Sequence, residues 1–181
     1  YDVPLSLSGL DAGAATPTGS PFILVNLFAA DDERNIDHEA GVRLLRKLHA
    51  AIPDATLGVL CCASSVERAR SVVDEAGVGD IVNCHGDLKR LFNVCRVADA
   101  VISTDTAVVH IASAFDTPVV GIYRNDAAKL LQWGPRGTAT AVVLSASAQD
   151  VHGFDVDQVI EHVLALRREA GQALECALRT A

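Results

Sequence analysis

The chain has 181 residues, half of them hydrophobic, and a formal net charge of −8. This length and composition predict one well-buried domain rather than two ordinary domains with a cleft between them. The acidic balance, without a basic cluster, argues against a nucleic-acid partner, and no apolar run approaches the ~20 residues of a membrane span. We therefore expect a cytoplasmic protein.

The N-terminal residues 1–21 are rich in proline and glycine, which predicts a linker or an edge segment. The remaining residues, 22–181, alternate between apolar runs and helical patterns and form the predicted domain. The chain contains no methionine, so we expect a piece of a longer protein whose other part holds half of the active site. Five cysteines without CxxC spacing favour free thiols over metal or disulfide roles: Cys61, Cys62, Cys84, Cys95 and Cys176.

Six short apolar runs predict buried strands, and their bounds are Phe22–Phe28, Ala55–Cys61, Asp80–Asn83, Ala100–Ile102, Pro118–Tyr123 and Ala139–Leu144. The first helix is predicted over His38–Ala51 with an Asp37 cap, and the second runs from Ser64 or Ser65 to Gly77. Two further helices are predicted over Asp87–Val97 and Thr106–Phe115, followed by one helical turn near Ala127–Leu131. The last helix is predicted from Val156 to Leu178, with a break near Gly171. This alternation predicts an α/β fold with a doubly wound parallel sheet. The loops that follow the strands then share one edge, where such folds bind ligands.

The best functional clue lies after the fourth predicted strand, at Thr104, Asp105, Thr106 and His110. The Asp105 carboxylate can cap the following helix or accept from a ligand hydroxyl. Thr106 and His110 are four residues apart and share a helix face. Hydroxyls, free helix amides and an imidazole together suit a phosphate-bearing ligand, although a single histidine in an apolar helix is more often a core residue.

Other loops on the same edge of the sheet add candidate residues, and for most of them a structural role explains the residue as well as ligand binding does. Arg34 can bind a pyrophosphate with its guanidinium fork or form an ion pair with an adjacent carboxylate. Glu67, with Ser64 and Ser65, can bind a base or ribose, but helix capping explains the serines equally well. Gly86 can line the pocket. No GxGxxG, P-loop, GxSxG or HExxH motif and no set of metal ligands is present, so we expect no metal.

The segment LFNVCRVADAVISTDTAVVHIASAFDTPVVGIY, followed by QWGP at residues 132–135, resembles the C-terminal half of the heptosyltransferases of glycosyltransferase family 9, which build bacterial lipopolysaccharide cores. The family motif D-[ST]-G-x-x-H-x-A-A stands here at residues 105–113. The sequence departs from it at Ala107, which replaces the usual glycine. The first loop also departs, because Arg34, Asn35 and Ile36 stand where a lysine and, further on, an aromatic are typical.

This resemblance implies the Rossmann-like donor-binding domain of a two-domain GT-B enzyme that is inverting and needs no metal or cofactor. The implied donor is a nucleotide sugar, ADP-heptose, bound by Asp105, Thr106, Ala107, His110, Thr104, Arg34, Glu67 and Gly86. The catalytic carboxylate and the lipid-linked saccharide acceptor belong to the N-terminal acceptor domain, so the resemblance implies no catalytic residue in this fragment and no activity of it alone. It also implies a place in the cytoplasm, peripheral at the inner face of the bacterial inner membrane.

Two alternatives stay open on the sequence. One is a GT-B relative that uses UDP-sugars, including an epimerase. The other is a non-catalytic binding module that keeps the fold, for which Ala107 is the main support.

Overall fold

The computed structural model describes residues 19–84 and 86–180, with side chains described through residue 172. Most of the predicted linker or edge segment, residues 1–18, lies outside the described residues, as does the side chain of Cys176. Within the described part, the chain folds into a parallel sheet with helices on both faces.

Six strands form the sheet: β1 (Phe22–Asn26), β2 (Thr56–Cys61), β3 (Asp80–Asn83), β4 (Ala100–Thr104), β5 (Val119–Tyr123) and β6 (Thr140–Leu144). All pairings are parallel, and the order across the sheet is β3-β2-β1-β4-β5-β6. The order reverses between β1 and β4, which are neighbours with Ile23 opposite Ala100 and Asn26 opposite Ser103. The predicted doubly wound sheet is confirmed, and its switch point lies between these two strands.

Six α-helices connect or follow the strands: α1 (His38–Ala51), α2 (Val66–Ala76), α3 (Leu88–Val97), α4 (Ala107–Ala114), α5 (Ala127–Trp133) and α6 (Val156–Thr180). A short 3-10 turn, Asp32–Arg34, lies between β1 and α1. The local sequence explains several helix ends. Asp37 accepts from the Ala40 amide at the start of α1, Asp87 accepts from the Arg90 amide at the start of α3, and Gly77 ends α2 with a φ of 72°.

Each face of the sheet has its own hydrophobic core, because successive side chains of a strand point to opposite faces. In β1, Ile23 and Val25 pack with α1, α2 and α6, whereas Phe22 and Leu24 pack with α3 and α4. All four of these side chains are buried. The two layers bury both faces of the central strands, which explains why those strands are apolar runs rather than alternating patterns.

Four predicted elements differ from the structure by more than one residue at an end or by an expected break, and the other differences in bounds are of one residue. β1 ends at Asn26 rather than Phe28, because the Leu27 carbonyl accepts from the Ile36 amide at 2.9 Å and the chain turns. β4 extends past Ile102 through Ser103 and Thr104. Ser103 pairs with both β1 and β5, and Thr104 pairs with β5. α5 is longer than one turn.

The fourth difference concerns α6, which continues through Gly171 without the predicted break. A Cβ at this position would have no neighbour within 4 Å. A glycine in an exposed helix lowers its stability by about 1 kcal/mol relative to alanine and does not by itself end the helix. Among the helices of the described ranges, none has the length and apolar character needed to cross a membrane.

Candidate functional site

The candidate site lies at the carboxyl edge of the sheet, where the loop after β1 meets the turn between β4 and α4. These two connections leave neighbouring strands in opposite directions along the sheet, so a crevice forms between them. The position is the usual ligand-binding place of an open α/β sheet. The described residues around it are polar and charged.

A buried polar network joins the ends of β1 and β4. The Nδ2 atom of Asn26 donates to the Oγ atom of Ser103 and to the Oγ1 atom of Thr106, each at 3.0 Å. The Ser103 hydroxyl also donates to the carbonyl of Thr104 at 2.7 Å. Asn26 is 5% exposed and Ser103 is fully buried, whereas Thr106, at the outer end of the network, is half-buried. It fixes the position of the turn that starts α4.

Thr106 is the residue that caps α4. Its backbone is extended, and its side-chain oxygen accepts from the amide of Val108 at 3.3 Å. The sequence allowed Asp105 to be the cap of a helix that begins at Thr106, and this reading is wrong: α4 begins at Ala107 and Asp105 lies one residue before the cap. The Val109 amide donates to the Thr106 carbonyl at 3.2 Å, so Thr106 satisfies two of the first amides of α4. This end of the helix carries the partial positive charge of the helix dipole.

Asp105 keeps its carboxylate available. The side chain is half-buried, and no hydrogen bond to its carboxylate oxygens is formed by any residue in the described ranges. Its negative charge lies near Tyr123, since it adds to the rise in the pKa of the Tyr123 hydroxyl that burial causes. A half-buried carboxylate without a donor can accept hydrogen bonds from a ligand's hydroxyl groups.

Arg34 links the first loop to the turn before α4. Its Nη1 atom donates to the Asp105 carbonyl at 2.8 Å, and its own carbonyl accepts from the Thr104 hydroxyl at 2.5 Å. These reciprocal bonds connect residues about 70 positions apart. Arg34 therefore contacts the turn before α4. The sequence predicted that the loop after the first strand and the loop after the fourth strand share one edge of the sheet, and these contacts agree with that prediction.

The guanidinium of Arg34 also forms an ion pair with Asp31. Nε lies 3.0 and 2.8 Å from the two carboxylate oxygens, and Nη2 lies 2.5 Å from Oδ2. The hydrogen bond to Arg34 holds the pKa of Asp31 below its usual value, and the same bond raises the pKa of Arg34. The ion-pair reading of Arg34 is therefore correct, and the contact with Asp105 exists beside it.

His110 and Ala107 lie on α4 next to this cluster. Ala107 is the first residue of the helix and is exposed. His110 is half-buried, one turn beyond Thr106. It is thus neither a fully buried core histidine nor a freely exposed one, and its role stays a prediction.

Glu67 and Gly86 do not join the cluster. Glu67 is exposed in the first turn of α2 and lies 3.4 Å from Arg70. Gly86 follows β3 with a φ of 76° and has open space around it. The start of α2 still approaches the first loop, because the Arg68 guanidinium lies 4.9 Å from the Phe28 ring centroid and 3.9 Å from Asp32. In the part of the chain that the structure describes, neither Glu67 nor Gly86 contacts Arg34 or Asp105.

The turn before α2 differs from its prediction. Ser65 occupies the cap position without a side-chain bond to the helix; its Oγ atom accepts from the Cys62 amide at 3.1 Å instead. The Cys62 thiol is exposed, and hydrogen bonds from Ser64 and then Ser65 lower its pKa to about 7. The described cysteines are free, as predicted, and the other three are buried.

Sequence reasoning missed the contacts of Asn26 with Ser103 and Thr106, because Asn26 was included in an apolar strand. The available signal was a single amide side chain within the run FILVNLF. Sequence reasoning also gave no metal site. In the parts of the chain that the structure describes, no group of three or more His, Cys, Asp or Glu side chains is placed to hold a metal ion.

Solved structures with similar folds include three informative cases. The E. coli ADP-heptose lps heptosyltransferase II matches with a TM-score of 0.69 at 16% identity, over 86% of this chain and 49% of its own. The E. coli heptosyltransferase WaaC with ADP matches with a TM-score of 0.70 at 18% identity, over 83% of this chain and 46% of its own. The chain thus spans about half the length of these proteins.

The third case is a putative UDP-N-acetylglucosamine 2-epimerase from Listeria monocytogenes, with a TM-score of 0.55 at 15% identity, over 81% of this chain and 36% of its own. At these identities the likeness shows the fold, a Rossmann-like α/β sheet of the kind found in GT-B glycosyltransferases. No curated protein sequence matches the chain significantly.

The family is shown by the sequence itself. The family model described as "Glycosyltransferase family 9 (heptosyltransferase)" matches residues 14–163, which include all six strands and the start of α6. This chain belongs to glycosyltransferase family 9, the heptosyltransferase family.

Proposed function

We propose that this chain is the donor-binding half of a two-domain, inverting and metal-independent glycosyltransferase that uses a nucleotide sugar, ADP-heptose, in the synthesis of a lipopolysaccharide core. The observation that carries the proposal is the meeting of Arg34 with the start of α4 at the switch point of the sheet. A guanidinium and a helix N-terminus together favour a diphosphate, since each supplies hydrogen-bond donors and positive charge.

The proposed roles follow from the positions of the side chains. The start of α4 and Arg34 hold the diphosphate, and the Asp105 carboxylate accepts from hydroxyl groups of the donor. His110 lies one turn further along α4 and adds a donor or acceptor. Glu67 and Gly86, on the loops after β2 and β3, are proposed to contact the nucleoside.

In the proposed reaction, the bond between the sugar's anomeric carbon and the diphosphate oxygen breaks, and its electron pair stays on that oxygen. The acceptor hydroxyl forms the new bond to the anomeric carbon and gives its proton to a base on the acceptor domain. Arg34 and the α4 amides stabilise the charge that develops on the leaving diphosphate. We place the acceptor, a lipid-linked saccharide, on the N-terminal domain, and the enzyme in the cytoplasm at the inner face of the membrane.

The test is calorimetry of ADP and ADP-heptose with this chain, in its wild-type form and as Arg34→Ala. We expect weak binding to the wild type and about tenfold or greater loss in the variant, because a hydrogen bond to a charged group contributes ~1.5–3 kcal/mol. Arg43→Ala is the matched control, since Arg43 is exposed on α1 and lies outside the site. A folded wild-type sample that gives no signal with either nucleotide would contradict the proposal.

A second candidate is a UDP-sugar enzyme of the same fold, including an epimerase. The observation that favours it is the structural likeness to the Listeria monocytogenes protein, whose name refers to a UDP-sugar. A clear preference of the chain for UDP over ADP in the same calorimetry supports this candidate and overturns the ADP assignment.

A third candidate, a non-catalytic binding module, rests on Ala107 at the first position of α4. Its methyl group occupies space that a glycine would leave to the diphosphate. Transfer activity of the chain combined with its N-terminal domain, lost in Asp105→Ala without unfolding, would eliminate this candidate.

A further inference from the structure

Three successive acidic residues at the candidate site are each paired with an arginine. They belong to the segment that leads into and forms the 3-10 turn after β1, and their partners come from that turn, from α2 and from the loop after β5. The pairs are Asp31 with Arg34 at 2.5 Å, Asp32 with Arg68 at 3.9 Å, and Glu33 with Arg124 at 2.8 Å. The acidic segment therefore pairs with three arginines, one of which, Arg34, also contacts the turn before α4.

The pair of Asp31 and Arg34 has the most hydrogen bonds and the shortest distance of the three. Asp31 engages the side of the Arg34 guanidinium that is formed by Nε and Nη2, while Nη1 donates to the Asp105 carbonyl. A phosphate that approaches Arg34 must take the remaining protons or displace the carboxylate. In both cases it meets a cation whose charge is already balanced by a neighbouring anion.

Asp31 is also reachable and remains charged. Its side chain is 49% exposed, against 26% for Arg34, so the carboxylate lies on the solvent side of the pair. Arg34 holds the pKa of Asp31 below its usual value, so this carboxylate is ionised throughout the neutral range. An anion bound to Arg34 is repelled by this charge at every pH at which the enzyme would work.

We propose that Asp31 is a specificity-determining residue that weakens binding of the nucleoside diphosphate product more than binding of the nucleotide-sugar donor. This inference rests on the proposed function. The physical reason is charge: in the donor both phosphates are esterified and carry one negative charge each. After transfer, the terminal phosphate of the product gains a second ionisation with a pKa of about 6, so the product carries more negative charge above that pH.

Asp31 therefore favours release of the product and weakens binding of the donor less. Because the Asp31 side chain is 49% exposed, the effective dielectric is closer to that of water than to that of the protein interior. Under these conditions the repulsion between two unit charges about 5–6 Å apart corresponds to roughly a three- to tenfold change in affinity for the additional charge of the product. The effect acts on phosphates and leaves the nucleoside unaffected. This charge dependence separates it from a structural role of Asp31 in holding the loop.

The experiment compares the wild-type chain with Asp31→Asn, which keeps the size of the side chain and removes its charge. Calorimetry with adenosine, ADP and ADP-glucose, the last as a stable nucleotide sugar, is run at pH 8 and at pH 6. At pH 8 we expect Asp31→Asn to bind ADP about three- to tenfold more tightly than the wild type, ADP-glucose to gain less, and adenosine to stay unchanged. At pH 6 the gain for ADP falls toward that for ADP-glucose, because the terminal phosphate binds a proton.

Two control variants complete the design. Asp31→Glu keeps the charge and should bind ADP like the wild type. Asp157→Asn removes the carboxylate of another exposed ion pair, that with Lys47 between α1 and α6, and should change no affinity. A thermal unfolding scan of each variant confirms that it is folded.

The outcomes separate this inference from the function on which it rests. Unchanged or weaker ADP binding in Asp31→Asn, with normal binding by the wild type, overturns the inference alone. Equal gains for ADP and ADP-glucose at pH 8 also overturn it, since the charge discrimination is then absent. No binding of either nucleotide by the wild type and by Asp31→Asn overturns the inference and the proposed function together.

Discussion

The side-chain amide of Asn26 donates to the Thr106 hydroxyl at 3.0 Å, so the last residue of β1 holds the residue that caps α4. The two residues are 80 positions apart in the chain. Through this bond and the one to Ser103, a strand end fixes the helix start that we propose as the diphosphate site. Asn26 therefore positions the start of α4 through its two hydrogen bonds.

Replacing Asn26 with leucine should destabilise the fold by about 1–3 kcal/mol, because the buried Ser103 hydroxyl and the half-buried Thr106 hydroxyl both lose their donor. Urea unfolding measures this change. The control is Asn125→Ala, at an exposed position on the loop after β5, which should stay within about 0.5 kcal/mol of the wild type. A loss in Asn26→Leu no larger than that in the control would contradict the role given to this amide.

The stability contribution of Asp31 should depend on pH. The pKa of Asp31 is lowered in the folded state, so its contribution is present above the unfolded pKa near 3.8 and is lost as the pH falls through the lower folded pKa. At pH 7, Asp31→Asn should lower the free energy of unfolding by less than about 1 kcal/mol, since the pair is exposed and screened. Urea unfolding at pH 7 and at the lowest pH at which the fold persists measures the difference between the two proteins. A difference that grows as the pH falls has the wrong sign for this explanation.

Cys62 should be the most reactive of the described cysteines. Its pKa is lowered to about 7, whereas burial raises the pKa of Cys61 and Cys84 to about 11 and that of Cys95 to about 12. Alkylation by iodoacetamide, followed by peptide mass spectrometry, should show a Cys62 rate that rises with pH and levels off above about pH 7–8, since the thiolate is the nucleophile. Ser64→Ala should move that midpoint upward, because the hydrogen bond from Ser64 is the largest cause of the shift. A midpoint near 9 in the wild type would contradict the geometry of this turn.

Tyr123 should hold the end of α5 in place. Its buried hydroxyl donates to the carbonyl of Trp133 at 2.9 Å, which ties α5 to β5. Tyr123→Phe should lower the free energy of unfolding by about 1 kcal/mol, the typical net value of one hydrogen bond. It should also increase acrylamide quenching of the fluorescence of Trp133, the single tryptophan of the chain. Unchanged quenching with unchanged stability would show that α5 does not depend on this bond.

Most of the fold could be predicted because its signals are local. The Asp37 cap and the Gly77 helix end lie within a few residues of the helix ends that they determine, and the structure confirms both. Asp87, predicted as the first residue of a helix, is instead the cap of α3. The apolar runs predicted six strands because both faces of a parallel sheet are covered. Two strand ends, those of β1 and β4, were wrong because they depend on contacts with distant residues. The chain turns after β1 where the Leu27 carbonyl accepts from the Ile36 amide, and β4 continues because Ser103 and Thr104 pair with neighbouring strands.

The candidate site could be predicted in its members but less well in its contacts. The family motif and its neighbours pointed to Thr104, Asp105, Thr106 and Arg34, and the structure brings these four together. Asn26 was missed because its partners are about 80 residues away, and no local pattern marks such a pair. Glu67 and Gly86 share the sheet edge but not the cluster, because β2 and β3 lie on the far side of β1 from β4.

By itself, the sequence determined the alternation of strands and helices, the parallel sheet and the family, because apolar periodicity, helix caps and a motif of nine residues are properties of short segments. Only the tertiary structure decided that β1 and β4 are neighbours, that Thr106 rather than Asp105 caps α4, and that Arg34 is shared between Asp31 and the Asp105 carbonyl. The reason is that strand order and long-range hydrogen bonds depend on how both faces of the whole sheet are buried, which no single segment specifies.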